Sequence, residues 1–230
     1  MKISIIIPCY NEENYIINTL NKVNEQRKYF DLQIIVCDDG SNDQTINLLE
    51  NNPHLFDKLI KSTKNKGKGN AIRNALDFLE GDITLIQDAD LEYNPNDYKT
   101  LFEPFINDDA DVVYGTRFGG GKKVRIFYYI NRVANFFITN FTNALTNINF
   151  SDVETGYKAI KTKYFKELNL KENSFTIEIE ITMKLSKIKK IKIYEVGISY
   201  SGRTYEEGKK IKMIDGFKAI YAIFKYKFFN

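Results

Sequence analysis

Short apolar runs alternate with helical patterns through the first half of the chain, and this alternation restricts the fold more than any other feature. The runs Ile3–Pro8, Leu32–Cys37 and Ile83–Gln87 predict buried strands. Between them, Glu13–Gln26 and Ala71–Leu79 place apolar residues on one face at helical spacing. Strands and helices that alternate with short connections predict βαβ units. We therefore expect an α/β sandwich with a mostly parallel central sheet and helices on both of its faces.

Further strands and helices complete this pattern. Ser41 and Gln44 have the spacing of a capping box, so we expect Ser41 to cap a helix that runs through Glu50. Asn94 followed by Pro95 predicts the start of another helix. The other predicted strands are Lys58–Ser62 and Asp111–Gly115, and Ile191–Tyr200 predicts one or two more. The other predicted helices are Arg125–Phe150, Phe175–Lys187 and Met213–Phe229.

The composition is that of a folded chain with little net charge. Its 230 residues are 43% hydrophobic, which is enough for a full core, and the net charge of +3 argues neither for nor against nucleic acid. Cys9 and Cys37 each end an apolar run and form neither a disulfide framework nor a zinc-site spacing. We expect a reducing, cytoplasmic compartment, without a secretory signal or a membrane-spanning helix.

The domain organisation is predicted to be simple. We expect one domain over residues 1–210 and a C-terminal amphipathic helix over residues 211–230. Phe217, Ile220, Tyr221 and Phe224 lie on one stripe of that helix, with Lys218 elsewhere. Such a helix can lie in a membrane interface, make a dimer contact or pack into the core, and these alternatives stay open.

Two carboxylates directly follow the apolar run Ile83–Gln87. Asp88 and Asp90 stand two positions apart, and alternate residues of an extended segment point the same way. In parallel sheets of this kind, ligands bind beyond the carboxyl ends of the strands. Hard oxygen ligands suit Mg²⁺ or Mn²⁺, and Glu92 continues the alternation as a third candidate ligand. A polar turn that binds nothing is the alternative interpretation.

A second acidic segment follows the run Leu32–Cys37. A carboxylate at the end of a strand can accept hydrogen bonds from a base or a ribose, and both Asp38 and Asp39 stand there. The alternative is helix capping with a tight turn at Gly40. Because capping does not need two adjacent aspartates, we predict that at least one of them contacts a ligand.

The segment Lys64–Arg73 combines glycines with positive charge. Gly67 and Gly69 let a ligand approach the backbone, and Lys68 adds charge. The helix that follows offers free N–H groups to an anion. A solvated basic loop explains this segment equally well.

Further basic residues occur downstream, and arginine offers a planar fork for phosphate oxygens. Arg132 is embedded among Phe and Tyr residues, which disfavours a purely solvated role. The other candidates in this set, most of which also fit a solvated surface, are Arg117, Arg203, Lys209 and Lys210. His54, the sole histidine, lies in a connecting segment and is given no catalytic role.

Taken together, these motifs occur in a recognisable order. The order is Pro8-Cys9-Tyr10-Asn11-Glu12, Asp38-Asp39-Gly40-Ser41, Asn65-Lys66-Gly67-Lys68-Gly69, Asp88-Ala89-Asp90 and Gly115-Thr116-Arg117. It resembles the inverting glycosyltransferases of the GT-A type, family 2, and within them the dolichyl- or polyprenyl-phosphate hexose synthases. The resemblance covers nearly the whole chain and implies the GT-A sandwich fold, with residues 1–210 as the catalytic domain.

The resemblance implies a role for each motif. Asp88 and Asp90 would hold Mg²⁺ or Mn²⁺ on the donor diphosphate with help from Glu92, and Arg117 and Arg132 would receive an acceptor phosphate. The implied nucleotide contacts are Pro8, Tyr10, Glu12, Asp38, Asp39, Lys68, Gly69 and Ala89. The residues implied to close over the donor diphosphate are Arg203 and Lys209.

The implied reaction is the metal-dependent transfer of a hexose, with inversion, from a UDP- or GDP-sugar to a polyprenyl phosphate. It would involve no nucleic acid, and it would take place in the cytoplasm or at the cytoplasmic membrane face through peripheral contact. A sugar hydroxyl of a cell-envelope glycan stays open as the acceptor, because the family's Ser/Thr-Gly-Phe-Arg pattern is Thr155-Gly156-Tyr157-Lys158 here. That acceptor would need a general base, for which the candidates are Asp152, Glu154 and Glu178.

Two other classes of function are disfavoured. A nucleotidyltransferase would carry a Gly-rich loop after the first strand, where Pro8–Glu12 stands instead. A non-catalytic module that binds a nucleotide or a phosphoinositide would not need Asp88 and Asp90, which are intact.

Overall fold

The computed structural model describes residues 1–126, 128–204, 206–207 and 213–229. Within these residues the strands are β1 (Lys2–Cys9), β2 (Asp31–Asp38), β3 (Lys58–Lys61), β4 (Ile83–Ile86), β5 (Val112–Thr116), β6 (Lys158–Lys161) and β7 (Ile193–Gly197). The α-helices are α1 (Ile16–Glu25), α2 (Thr45–Glu50), α3 (Lys68–Ala75), α4 (Tyr98–Asn107), α5 (Tyr129–Thr146), α6 (Thr162–Glu167), α7 (Ile177–Leu185) and α8 (Met213–Phe228). Single 3₁₀ turns lie at Gln26–Lys28, Pro53–Leu55, Leu76–Phe78 and Pro95–Asp97.

The strands form one sheet in the order β3-β2-β1-β4-β6-β5-β7. All neighbouring pairs are parallel except those of β6, which runs antiparallel to both β4 and β5. The predicted mostly parallel sheet is therefore confirmed, but β6 was not predicted. Its sequence, Lys-Ala-Ile-Lys, has no apolar run, and its strand character comes from burial between two neighbours.

Helices cover both faces of the sheet, as predicted, and the alternation of side chains along β1 shows why. Ile5 and Ile7 point into a core that contains Leu20 of α1 and Phe102 of α4. Ile6 points to the other face, into a core that contains residues of α3 and α7. Successive side chains of a strand face opposite sides, so a strand with isoleucines on both faces needs a cover on each face.

One predicted helix start is wrong and another is confirmed. Ser41 does not cap α2, because its hydroxyl accepts a hydrogen bond from the Asn11 backbone N–H (2.9 Å). The carboxylate of Asp43 instead accepts from the first helical N–H, that of Thr45 (2.9 Å). Asn94 caps as predicted, since its side chain accepts from the Asn96 N–H (3.1 Å).

The C-terminal helix α8 is part of the same folded body. Its Ala222, Ile223 and Tyr226 are buried in the core that also contains Ile177 of α7. The predicted boundary between residues 210 and 211 lies outside the described residues. In the part of the chain that the structure describes, no helix combines the length and the apolar character needed to cross a bilayer.

The packing of α4 predicts a large effect of one truncation. Phe102 is 0% exposed, and its replacement by alanine is expected to lower the free energy of unfolding by about 3–5 kcal/mol because a cavity remains. Phe136 is 61% exposed, and Phe136→Ala is the matched control, with an expected change within about 0.5 kcal/mol. Equilibrium unfolding in urea measures both, and similar losses for the two variants would contradict this packing.

Candidate active site

The carboxyl ends of β1, β2 and β4 open onto one cavity of about 620 Å³. These strands are neighbours in the sheet, so motifs that are far apart in sequence meet at one edge. The cavity is lined by most of the residues that the sequence indicated: Pro8, Tyr10, Glu12, Asp39, Lys68, Asp88, Ala89, Asp90, Glu92, Arg117 and Arg203.

Asp88 leaves β4 and forms an ion pair with Lys68, whose ammonium lies 2.6 Å from its Oδ1. The side-chain amide of the buried residue Gln87 donates to the Asp88 carbonyl (2.9 Å) and so holds the backbone in place. Gly156 leaves room for the carboxylate, because a Cβ there would lie 2.6 Å from Asp88 Oδ2. Burial lowers the pKa of Lys68, but Asp88 and then Glu178 outweigh this effect and raise it above its ordinary value.

Asp90 is paired with Arg203, whose Nη2 lies 2.5 Å from its Oδ2. The same guanidinium reaches Glu12 (3.4 Å) and Glu92 (3.5 Å). Glu92 also accepts from the Tyr200 hydroxyl (2.7 Å) and from the Arg203 backbone N–H (2.8 Å). Burial, Glu92 and Asp88 raise the pKa of Asp90 to about 7, although Arg203 opposes this shift. Around the single guanidinium of Arg203, the three carboxylates of Glu12, Asp90 and Glu92 therefore leave an excess of negative charge.

The donor atoms at this edge of the sheet are carboxylate oxygens. The acidic cluster consists of Glu12, Asp88, Asp90 and Glu92, and its cationic partners are Lys68 and Arg203. Among the described residues, no group of three or more metal-binding side chains is arranged to hold an ion. The hard oxygens of Asp88 and Asp90 suit Mg²⁺ or Mn²⁺, and such a cation would remove the excess charge. Both oxygens of Glu92 already accept hydrogen bonds, so its part in metal binding stays a prediction.

Glu178 is occupied by two lysines and does not provide a free base. Its Oε1 lies 2.9 Å from the ammonium of Lys68, and its Oε2 lies 2.7 Å from that of Lys158. Lys158 is fully buried and also donates to the Thr155 carbonyl. Burial opposes the effect, but Lys158 and Lys68 lower the pKa of Glu178, which keeps it ionised and paired.

Asp38 and Asp39 are both buried but differ in position. Asp38 does not line the cavity, and its Oδ2 accepts from the backbone N–H groups of Gly40 (2.9 Å) and Ser41 (3.0 Å). This placement gives Asp38 a structural role in the turn and does not support its predicted nucleotide contact. Asp39 does line the cavity, and its carboxylate also accepts from the Lys66 N–H (2.8 Å).

The N-terminus of α3 is less open to an anion than the sequence suggested. The helix begins at Lys68, and the N–H groups of Gly69 and Asn70 both donate to the Asn173 carbonyl. A Cβ at Gly69 would lie 2.3 Å from the Glu172 carbonyl oxygen. Gly69 therefore permits close packing of this segment and is absent from the cavity lining, contrary to its predicted contact.

Arg117 reaches the cavity from the end of β5 and is held by Asp152. The guanidinium donates to both carboxylate oxygens at 2.7 Å, and Asn135 of α5 donates to the same carboxylate at 2.8 Å. Burial opposes ionisation, but Arg117 lowers the pKa of Asp152. The guanidinium also lies over the ring of Tyr200, with its carbon 5.2 Å from the centroid. Arg117 thus lies between the acidic cluster and α5.

The other two predicted basic contacts have different outcomes. Arg132 is exposed, does not line the cavity and lies over the Phe118 ring at 4.2 Å. Its predicted contact with an acceptor stays a prediction that this placement does not support. Lys209 lies outside the described residues, as does Lys210.

Sequence reasoning missed an apolar part of the same cavity, here called the apolar arm. It is lined by Ala134, Phe137 and Ile138 of α5 and by Phe217, Ala219 and Ile220 of α8. The signals for it were the amphipathic stripe of α8 and the aromatic residues of the predicted helix Arg125–Phe150. Neither pattern reveals which surface the apolar residues face.

Glu154 is the one candidate base that keeps an uncommitted carboxylate. It lines the cavity, and it makes no hydrogen bond or ion pair with any residue in the described ranges. Burial raises the pKa of this carboxyl above the ordinary 4.5, against the attraction of Arg117. Asp152, by contrast, is committed to Arg117.

The mostly parallel sheet with an acidic pair at its carboxyl edge agrees with the glycosyltransferase family that the motifs indicated. Residues 4–168 match the family described as Glycosyl transferase family 2. The chain belongs to this family, as its motifs predicted.

Relatives with known names cover almost all of this chain. It is 27% identical over 231 residues to the dolichol-phosphate mannosyltransferase of Pyrococcus furiosus, covering 99% of this chain and 65% of that protein. It is 29% identical over 244 residues to the UDP-N-acetylglucosamine–dolichyl-phosphate N-acetylglucosaminyltransferase of Methanococcus voltae, covering 98% of this chain and 96% of that protein. The chain thus spans just under two thirds of the first relative and nearly all of the second.

A solved structure confirms the predicted GT-A sandwich. Glucosyl-3-phosphoglycerate synthase from Mycobacterium tuberculosis, in complex with Mn²⁺, uridine diphosphate and phosphoglyceric acid, superimposes with a TM-score of 0.75. It is 18% identical, and the match covers 100% of this chain and 79% of that protein. At this identity the likeness shows the fold alone.

The raised pKa of Glu154 predicts a pH-dependent stability. The folded protein holds this proton more tightly than the unfolded chain, so the ionised group destabilises the fold above its folded pKa. Glu154→Gln is expected to be more stable than the wild type near pH 7 and to lose this advantage as the pH falls below about 4.5. Urea midpoints between about pH 4 and pH 8 test this, with the exposed Glu25→Gln as control. A pH-independent difference would refute the assignment.

Proposed function

We propose that the protein transfers a hexose from a UDP- or GDP-sugar to a polyprenyl phosphate, with inversion at the anomeric carbon. The observation that carries this proposal is the cavity itself, which joins the acidic cluster to the apolar arm. An acceptor with an anionic head and a long apolar chain matches both parts. The names of two relatives, which include dolichol phosphate or dolichyl phosphate, support the same acceptor class.

On the donor side, Asp88 and Asp90 would hold the divalent cation. A cation bound there stabilises the negative charge that develops on the leaving diphosphate. Lys68 and Arg203 already lie against these two carboxylates and would supply further positive charge to the diphosphate. The nucleoside would be held by the part of the cavity wall at the ends of β1 and β2. This part of the wall includes Pro8, Tyr10 and Asp39.

On the acceptor side, Arg117 would bind the phosphate. Its pairing with Asp152 fixes the guanidinium in one orientation, which lowers the entropic cost of aligning the acceptor with the donor. A phosphate is already ionised at neutral pH and needs no general base to attack. Glu178 is fully paired with lysines, which agrees with a reaction that does not use it as a base.

The lipid would be reached through an exposed apolar surface formed by α5 and α8. This surface consists of Phe136, Phe137, Phe217, Tyr221, Phe224 and Phe228, which are between 45% and 70% exposed. The Phe224 ring packs on Phe141 of α5 (5.0 Å), which joins the two helices. Lys218 and Lys225 of the same helix α8 are 54% and 37% exposed. An exposed aromatic patch on an amphipathic helix that carries lysines suits a membrane interface, so we propose peripheral contact with a membrane that contains anionic lipid.

A sugar hydroxyl is the second candidate acceptor, and Glu154 favours it. A hydroxyl must lose a proton as it attacks, and an uncommitted carboxylate with a raised pKa in the cavity is suited to take it. The apolar arm has no evident role in this reaction, which is why the lipid phosphate is preferred.

The reaction is tested by release of nucleoside diphosphate from a panel of UDP- and GDP-sugars with Mn²⁺ or Mg²⁺. Release is expected to depend on added polyprenyl phosphate and to stop when EDTA removes the metal. Asp88→Asn is expected to lower turnover by about 10²–10³-fold, because charge stabilisation worth several kcal/mol is lost. Asp77→Asn, an exposed aspartate, is the matched control and should retain full turnover.

The two acceptors are separated by Glu154→Gln in the same assay. Transfer to polyprenyl phosphate should survive this substitution within about threefold, because no proton has to be removed. Transfer that requires a glycan and falls by at least about 10²-fold in Glu154→Gln would favour the hydroxyl acceptor instead.

Membrane contact is tested by flotation with vesicles. The wild type should float with vesicles that contain anionic lipid at low salt, and the double variant Phe217→Ser/Tyr221→Ser should remain at the bottom of the gradient. Tyr29→Ser removes an aromatic residue that is similarly exposed (67%) but lies outside the apolar surface, and it should float as the wild type does. Equal flotation of all three proteins would remove this part of the proposal.

A further inference from the structure

Four charged side chains of alternating sign run from the core into the cavity, and they are here called the charge chain. They are Lys158, Glu178, Lys68 and Asp88, joined by contacts of 2.7, 2.9 and 2.6 Å in that order. Lys158 belongs to β6, Glu178 to α7 and Lys68 to the start of α3, and Asp88 follows β4. The charge chain therefore connects four separate elements of the fold.

Burial falls along the charge chain from its inner to its outer end. The side chains of Lys158, Glu178, Lys68 and Asp88 are 0%, 8%, 10% and 22% exposed. Within the inner pair, Lys158 is fully buried and Glu178 reaches the cavity wall with only 8% of its side chain exposed. Separating this pair would leave a buried charge unpaired, so the two side chains hold each other firmly. The outer pair borders the cavity, where a ligand can replace one partner.

Lys68 therefore has one permanent partner and one exchangeable partner. Glu178 is itself held by Lys158, whose ammonium is fixed further by the Thr155 carbonyl. Asp88 is one of the two carboxylates proposed above to hold the divalent cation. A cation bound by Asp88 would compete with the Lys68 ammonium for the charge of this carboxylate, while Glu178 holds that ammonium from the other side.

We infer that Glu178, backed by Lys158, is a positioning residue that shares the Lys68 ammonium with Asp88, so that Lys68 competes with the divalent cation and stays poised for the donor diphosphate. The inference rests on the proposed function for the identity of the cation and the donor. Without Glu178, Lys68 would have Asp88 as its main anionic partner and would compete with the cation more strongly. Without Lys68, the cation would meet an unopposed carboxylate.

The test measures Mn²⁺ binding without nucleotide, by titration calorimetry and by the electron paramagnetic resonance of free Mn²⁺. Lys68→Met is expected to tighten Mn²⁺ binding by about fivefold or more, a typical size for coupled sites. The paired variant Glu178→Gln/Lys158→Met removes both buried inner charges together, which protects the fold and keeps the net charge. It is expected to weaken Mn²⁺ binding by about fivefold.

The decisive comparison is a double-mutant cycle. In the Lys68→Met background, the paired substitution should change the Mn²⁺ affinity by less than about twofold, because Glu178 acts through Lys68. A merely structural role would weaken binding in both backgrounds alike. Glu50→Gln/Lys61→Met removes an exposed ion pair of similar length (2.7 Å) and should leave Mn²⁺ affinity unchanged.

The inference would be overturned by an equal effect of the paired substitution in both backgrounds, or by weaker Mn²⁺ binding by Lys68→Met. Absence of Mn²⁺ binding in the wild type and in Lys68→Met would overturn it as well. The proposed function fails separately. If the expected coupling in Mn²⁺ affinity is measured but the protein transfers no sugar, the proposed function is refuted and the inference stands. If the protein transfers sugar but the coupling is absent, the inference is refuted and the proposed function stands.

Discussion

Negative charge concentrated at the carboxyl edge of the sheet is the constraint that the rest of the site has to balance. β1 and β4 are neighbours, so the acidic motifs that follow them are brought together. Carboxylates that share a partly buried site repel each other, and the energy rises as water is excluded. Lys68 and Arg203 offset that repulsion from two different directions. The positions of α3 and of the segment around Arg203 are thus tied to the acidic cluster.

The same balance connects structure with chemistry. Under the proposed function, the cations that neutralise carboxylates in the free protein are those that a diphosphate would engage. Arg117 is oriented in advance by Asp152, which in turn is held by Asn135 of α5. Because α5 also lines the apolar arm, one helix links the orientation of the basic group to the apolar part of the cavity.

Local patterns predicted the fold well where burial was uniform. The runs in β1, β2 and β4 are mostly apolar and almost wholly buried, so their strands were found with small errors at the ends. β6 was missed because a lysine at position 158 predicts an exposed residue. Lys158 is buried in the structure because it forms an ion pair with Glu178. Ser41 fits the capping pattern, but its hydroxyl accepts a hydrogen bond from the backbone N–H of Asn11, thirty positions earlier in the sequence. Gly69 and Asp38 look like ligand contacts for similar reasons, yet their neighbours in space use them for packing and for a turn.

The sequence by itself determined the α/β class, the strands beneath the site and the set of acidic and basic motifs at its edge, because strand and helix patterns are local. Only the tertiary structure decided which charges pair with one another. Arg203 pairs with Asp90 across 113 positions of sequence, and Glu178, a candidate base in the sequence, pairs with two lysines. Electrostatic interactions depend on the distance between charges in space and on the exclusion of water. The spacing of residues along the chain predicts neither of these quantities.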